Sequence, residues 1–167
     1  MVLSLVIEKG NAMSTTFIPV RRALRDFLGA DATDALCAAR SALTGESPAA
    51  LRTLAGLRRP VKTTPQVVHG DLFGTVLFAG AAAPAITDIV PYYRPAAWAS
   101  AVVVVDALAW GGADEDLIER WSHLEEWPQM LLRATMFRLG VHALHPRSTA
   151  GALPGLMRVV DQVRLLV

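Results

Sequence analysis

The segment Val67–Asp88 contains the residues whose types and spacing are best suited to chemistry. A short apolar run ends in His69-Gly70-Asp71, and two further short apolar runs, separated by a turn, lead to Asp88. We therefore predict that each carboxylate follows the end of a short strand, with a β-hairpin between them. Two acids directed into one cleft can have different catalytic roles, because one can accept a proton while the other holds a metal ion.

The elements that must position these acids are predicted to be helices. Ser47-Pro48 is typical of a helix start. The segment Ala96–Trp110 is apolar almost all round, which is typical of a central, buried helix. Asp106 lies inside that segment, so its carboxylate requires a partner. Between Asp88 and this helix, we expect the chain to turn at residues 91–93.

Further helices are predicted on both sides of this centre. Before it, residues 19–28 and 31–43 show helical spacing, while residues 1–13 are expected to form a ragged start. After it, we expect a helix beyond Asp114 that buries Trp121 and Leu124. Another should run from Pro128 until Pro146 forbids continuation, and a last one should begin near Pro154. The tryptophans are expected to build the core: Trp98, Trp110, Trp121 and Trp127.

Composition limits the class of protein. The 167 residues fit one domain, and 53% of them are hydrophobic while 19% are charged. The formal charge of +1 offers no argument for a nucleic-acid partner or an anionic membrane. A lone cysteine, Cys37, excludes an internal disulfide and fits a reducing cytoplasm, where we expect the protein. The longest apolar run is shorter than the roughly 20 residues of a membrane span.

Three landmarks resemble one known family in their order and spacing. His69-Gly70-Asp71-Leu72 with the apolar run after Thr75, then Ile86-Thr87-Asp88-Ile89, then Asp106-Ala107-Leu108-Ala109, are similar to motifs of the aminoglycoside phosphotransferase and choline kinase branch of the protein-kinase-like fold. The resemblance covers about residues 67–144 and looks closest to a group of uncharacterised actinobacterial members. It implies transfer of the ATP γ-phosphate to a small-molecule hydroxyl, with Mg²⁺ as the metal.

The resemblance also implies a role for each matched residue. Asp71 would be the base that accepts the proton of the substrate hydroxyl, and Asp88 would hold Mg²⁺ against the nucleotide phosphates. His69 would brace the loop, and Asp106 would be structural. Where the family has a metal-binding Asn, the nearest residue here is Thr75, whose hydroxyl is a poorer neutral ligand.

A second departure concerns the amino-terminal lobe of that fold. No glycine-rich loop precedes a strand, and no strand lysine is placed to pair with a helix glutamate. We therefore expect residues 14–167 to form a C-terminal lobe alone, mainly α (α+β) with a small β-hairpin insert. Half of the ATP pocket would then be absent, so activity should be weak or lost.

Other interpretations remain open. The chain could be a non-catalytic scaffolding protein that self-associates as a homodimer through the face left without its lobe, or a metal-dependent phosphohydrolase that uses the same two acids. Asp71 and Asp88 could also simply cap turns. His142 and His145 have a spacing that could bind a metal. A basic cluster before the acidic centre is either a solvated linker or a phosphate-contacting edge: Arg58, Arg59 and Lys62.

Overall fold

The computed structural model describes residues 46–145 and 147–167. The predictions for residues 1–13, for the helices at 19–28 and 31–43 and for Cys37 fall outside that part. The described part is a mixed α/β structure, about 52% helical, with small two-stranded antiparallel sheets. At this level, the prediction of a mainly helical α+β fold with a small β insert is confirmed.

The helices and strands of the described part follow one another in this order: α1 (Glu46–Gly56), β1 (Pro65–His69), β2 (Val76–Leu77), β3 (Ala85–Ile86), β4 (Pro91–Pro95), α2 (Ala96–Trp110), α3 (Asp116–Arg120), α4 (Trp127–Leu144), a 3₁₀ helix (Ala150–Ala152) and α5 (Leu153–Arg164). Helix α4 has Pro128 in its first turn. It ends where His145, the residue before Pro146, takes an extended backbone. In the described part, no helix is both long and apolar enough to cross a membrane.

Helix α2 lies at the centre of the core, as its apolar composition predicted. It packs against α4 and α5, and α1 packs against α4. Each fully buried aliphatic side chain stabilises the fold by about 1.5–3 kcal/mol. Helices α1, α2, α4 and α5 all contribute such side chains: Leu54, Val102, Val105, Met130, Leu131, Met136, Leu139, Leu156 and Val163. These helices form the rigid platform for the strands and loops that hold the candidate acids.

Strands β1 and β4 pair antiparallel over their full length. Because side chains alternate across a strand, Val68 and its partner Tyr92 face the core, and both pack against it. The neighbouring pair, Val67 and Tyr93, is 49% and 37% exposed. The sheet therefore has one face on the helices and one apolar face toward solvent. Beyond it, β2 and β3 form the predicted hairpin.

The prediction of a turn at residues 91–93 was wrong, because these residues belong to strand β4. Prolines at 91 and 95 suggested a turn from sequence. In the structure they occupy the first and last positions of an edge strand, where a missing N–H costs little.

Two predictions about the core also need correction. Trp98 and Trp127 are buried as predicted, but Trp110 is 45% exposed and Trp121 is only half-buried. Trp110 lies at the last position of α2, and its indole N–H donates to the carbonyl of Ala152. Helix α3 ends at Arg120, so Trp121 and Leu124 lie beyond it and only pack at the margin of the core.

Close packing of α5 on α2 predicts that Gly155→Ala is destabilising. A Cβ at Gly155 would lie 2.1 Å from the carbonyl oxygen of Ala109, a backbone atom that cannot rotate away. We expect the free energy of unfolding, measured in urea, to fall by about 1–3 kcal/mol. The matched control is Gly151→Ala, because a Cβ there meets nothing within 4 Å. Equal stability of the two variants would contradict the close approach of the helices.

Candidate functional site

The imidazole of His69 joins the two loops that contain the predicted acids. His69 is the last residue of β1, and its Nδ1 accepts a hydrogen bond from the backbone N–H of Asp71 at 3.0 Å. Its Nε2 lies 2.7 Å from the carbonyl oxygen of Asp88, which can only accept. The contacts therefore fit the neutral imidazole with its proton on Nε2. The Val90 N–H also lies 3.3 Å from Nε2, but it cannot donate to that nitrogen while Nε2 carries the proton. Moving the proton to Nδ1 would remove the bond from the Asp71 N–H, so the assignment to Nε2 stands.

Thr75 closes the loop that begins at Asp71. Its hydroxyl donates to the carbonyl oxygens of Asp71, at 2.8 Å, and Leu72, at 3.1 Å. Its own carbonyl accepts bonds from the backbone N–H and the hydroxyl of Thr87, both at 3.0 Å. Thr75 thus links the start of the hairpin to its end. These two bonds use the proton of the Thr75 hydroxyl, so the lone pairs of its oxygen remain as the atoms that could bind a metal.

The middle residue of His69-Gly70-Asp71 must be small, because the ring of Tyr92 lies against it. A Cβ on Gly70 would be 2.3 Å from Cδ2 of Tyr92. Tyr92 belongs to an aromatic cluster with Trp98 and Phe137, in which the ring centroids are 5.3 to 5.5 Å apart. Edge and tilted contacts of this kind stabilise beyond area burial alone. The loop therefore lies directly on the aromatic part of the core.

One guanidinium connects the loop to the central helix. Arg138, on α4, donates from Nε to Oδ1 of Asp106 at 2.6 Å, and its Nη2 bonds Oδ2 of the same carboxylate. Nη2 also donates to Oδ1 of Asp71 at 2.7 Å. Asp106 is 2% exposed, whereas the Asp71 side chain is 46% exposed. The expectation that Asp106 requires a partner is confirmed, and that partner is shared with the loop acid.

Burial and charge act on this group in opposite directions. Burial raises the pKa of Asp106 above its usual value, and the hydrogen bonds and charge of Arg138 oppose the rise. Burial also disfavours the charged form of Arg138. The hydrogen bonds and charges of Asp106 and Asp71 outweigh that effect and raise the pKa of Arg138, so it stays protonated. Burial likewise raises the pKa of Tyr92, whose ring lies beside the group.

Asp88 is an exposed acid just beyond β3. Its Oδ1 accepts a hydrogen bond from the backbone N–H of Ile89 at 2.8 Å. Within residues 46–145 and 147–167, Oδ2 of Asp88 and Oδ2 of Asp71 have no hydrogen-bond partner. Mg²⁺ in nucleotide sites is bound by one or two carboxylates, with phosphates and water completing the shell. The open oxygen of Asp88 fits one carboxylate position of that donor set, although residues 46–145 and 147–167 include no group of three His, Cys, Asp or Glu side chains placed to bind a metal.

The histidines with metal-like spacing are engaged in other contacts. His142 lies between Oγ of Ser47, at 3.3 Å from Nδ1, and the carbonyl of Thr149, at 3.1 Å from Nε2. Nδ1 of His145 accepts the backbone N–H of Arg147. These contacts tie α1 and the segment after α4 together and do not converge on one point.

The basic segment before β1 is fixed to α4 through its backbone. The buried amide of Gln129 accepts from the N–H of Arg59 and donates to the carbonyl of Leu57. Arg133 donates to the carbonyl of Arg59. The segment is therefore held in place, whereas the phosphate-contacting role considered for it stays a prediction.

Two residues of the site were not singled out from sequence. Arg138 lies at helical spacing among the apolar residues of α4, and Tyr92 falls in the stretch 91–93 for which the sequence predicted a turn. The available signal for Arg138 was a charged residue on the buried row of a helix, together with a buried acid that required a partner. Comparison with known proteins adds no further signal, because no family model, curated protein or solved structure matches this chain.

The buried ion pair predicts a pH-dependent defect in Arg138→Gln. The substitution leaves the Asp106 carboxylate buried without a cation, which costs about 3–5 kcal/mol of stability near neutral pH. Burial then acts unopposed, so the folded-state pKa of Asp106 rises further. A carboxyl group whose folded-state pKa is raised stabilises the fold while it is protonated. That stabilisation is fully present below the unfolded-state pKa, about 3.9, and is lost as the pH increases through the folded-state pKa.

The defect should therefore be smaller at about pH 4 than near pH 7. Urea unfolding across that range provides the measurement. Arg164→Gln is the control, because Arg164 is exposed and its pair with Asp161 is long, at 3.8 Å. A defect of the same size at both pH values would contradict the assignment of Asp106 as the buried charge.

Proposed function

We propose that this chain is a phosphotransferase homologue of the kinase-like type, built to place Asp71 and Asp88 at one nucleotide-binding half-site. The observation that supports the proposal most strongly is the bridge made by His69. It bonds the N–H of Asp71 and the carbonyl of Asp88, so the positions of the two acids depend on each other. Sheet pairing of β1 with β4 and of β2 with β3 supports it further, because it places both acids just after paired strands.

In this proposal Asp71 accepts a proton and Asp88 binds the cation. The open Oδ2 of Asp71 is the oxygen available to accept the proton of a substrate hydroxyl, while Oδ1 stays hydrogen-bonded to Arg138. Asp88, with Thr75 as a poor neutral neighbour, would hold Mg²⁺. A bound Mg²⁺·ATP would supply the phosphoryl group and neutralise its charge. The residues His69 and Asp106 hold the loop rather than contact the reactants.

Activity is expected to be weak. Thr75 stands where the family uses an amide ligand, and its hydroxyl is engaged with the carbonyls of Asp71 and Leu72. The recognisable motifs include no glycine-rich loop and no strand lysine for the phosphates. Affinity for nucleotide should thus depend largely on the cation held by Asp88.

The proposal predicts that binding of ATP, measured by calorimetry with Mg²⁺ present, is lost in Asp88→Asn. Asp71→Asn should retain that binding, because it leaves the metal ligand unchanged, and should lose phosphoryl transfer to a panel of hydroxyl acceptors. Asp161→Asn is the matched control, since Asp161 is an exposed acid on α5. Absence of binding by the wild-type protein at millimolar nucleotide, or equal binding by Asp88→Asn, would contradict the proposal.

A second candidate function is non-catalytic self-association, and exposed apolar side chains near the site favour it. Phe78 and Ile89 are each 78% exposed, and Leu77 is 56% exposed. Each sheet of the described part has only two strands, so both of its edges lack a strand partner there. Free edges beside apolar side chains can pair with another chain. The partner that we propose is a second copy of this chain.

Self-association through this surface predicts that Phe78→Ser combined with Ile89→Ser shifts the protein to monomer. Both side chains would lose apolar burial at the interface, and sedimentation velocity over a concentration series would measure the shift. Leu165→Ser is the control, because Leu165 is 88% exposed but lies after α5, outside the hairpin segment. A wild-type protein that remains monomeric at high concentration would exclude this function.

A further inference from the structure

The conformation of the Asp71 side chain needs an external constraint. Asp71 lies two residues beyond β1 in a loop, and its side chain is 46% exposed. A short, half-exposed carboxylate in such a place can occupy several rotamers. The backbone bonds made by His69 and Thr75 fix the N–H and the carbonyl of Asp71, but they do not touch its carboxylate. In the part of the chain that the structure describes, the carboxylate is bonded by Arg138.

The guanidinium of Arg138 is itself fixed from the other side. Its Nε and Nη2 bond the two oxygens of Asp106, a carboxylate enclosed in the central helix. Nη2 has two hydrogens, so one can point at each carboxylate. A planar guanidinium of this kind fixes the orientation of the carboxylates that it bonds and also neutralises their charge. A lysine ammonium would act as a point charge on a flexible chain.

We infer that Arg138 is a positioning residue that holds the Asp71 carboxylate in one rotamer, with Asp106 as its buried anchor. This inference rests on the proposed function for its consequence in catalysis, but not for its structural test. When Asp71 takes up a proton, Arg138 keeps both bonds to Asp106 and so stays in place. The anchor therefore makes the position of Arg138 independent of the state of the loop acid.

The competing explanation is that Arg138 only neutralises Asp106 and touches Asp71 incidentally. The two explanations differ in a variant that keeps the core satisfied and removes the fork. Asp106→Asn combined with Arg138→Gln replaces the buried ion pair by two neutral amides that can bond each other. The shorter glutamine cannot bond both the side chain at position 106 and Asp71. Arg138→Lys is a second variant that keeps the positive charge beside Asp106 and removes the planar fork.

The test measures the side-chain rotamer of Asp71 by NMR, from the three-bond couplings between its α and β protons. We expect couplings of a single rotamer in the wild-type protein and averaged couplings in the double variant and in Arg138→Lys. Asp88 is the internal control, because its carboxylate bonds the N–H of Ile89 and makes no hydrogen bond or ion pair with Arg138, so its couplings should not change. Unchanged Asp71 couplings in the folded variants would overturn the inference, as would averaged couplings in the wild-type protein.

The kinetic test distinguishes this inference from the proposed function. If the protein transfers phosphoryl groups, kcat should fall by about 10²-fold in both variants while KM for the nucleotide stays constant, because only the base is misplaced. An unchanged kcat in variants with a mobile Asp71 would overturn the positioning role. A wild-type protein without any transfer would refute the proposed function, yet the couplings would still decide whether Arg138 fixes Asp71.

Discussion

The carboxylate of Asp106 is buried in the middle of an apolar helix, and the arrangement of the site depends on how that charge is compensated. A buried ion is tolerated only when it is paired and hydrogen-bonded with good geometry. Arg138 provides both bonds from α4, the helix that packs along α2. The same guanidinium also bonds Asp71. One side chain therefore neutralises the buried charge of Asp106 and orients the loop acid.

The rest of the site adds constraints of a different kind. His69 and Thr75 act on backbone atoms and fix the path of the loop, while the ring of Tyr92 determines how closely that loop can approach the core. Among the residues that the structure describes, Arg138 is the one that bonds the carboxylate itself. Neutral hydrogen bonds therefore fix the path of the loop, and the planar guanidinium of Arg138 orients its acid. Oδ2 of Asp71 has no hydrogen-bond partner among the described residues, which leaves it available to accept a proton.

Local patterns predicted much of this fold from sequence. The central helix was identified from its apolar residues, the hairpin from its short runs, and the ends of α4 from Pro128 and Pro146. Each of these signals lies within the element that it predicts or directly beside it. The pairing of Arg138 with Asp106 joins residues 32 positions apart, and no local periodicity reports such a pair. Strand β4 was missed for the same reason, because its partner β1 lies more than 20 residues earlier and its prolines resemble a turn.

A double-mutant cycle between Asp71 and Arg138 measures whether one guanidinium links the core to the loop acid. The free energy of unfolding would be determined for the wild-type protein, Asp71→Asn, Arg138→Lys and the combined variant. If one guanidinium joins the core to the loop acid, the two substitutions should be coupled by more than about 0.5 kcal/mol. Effects that add within about 0.3–0.5 kcal/mol would show that the two groups are energetically independent and would contradict the account.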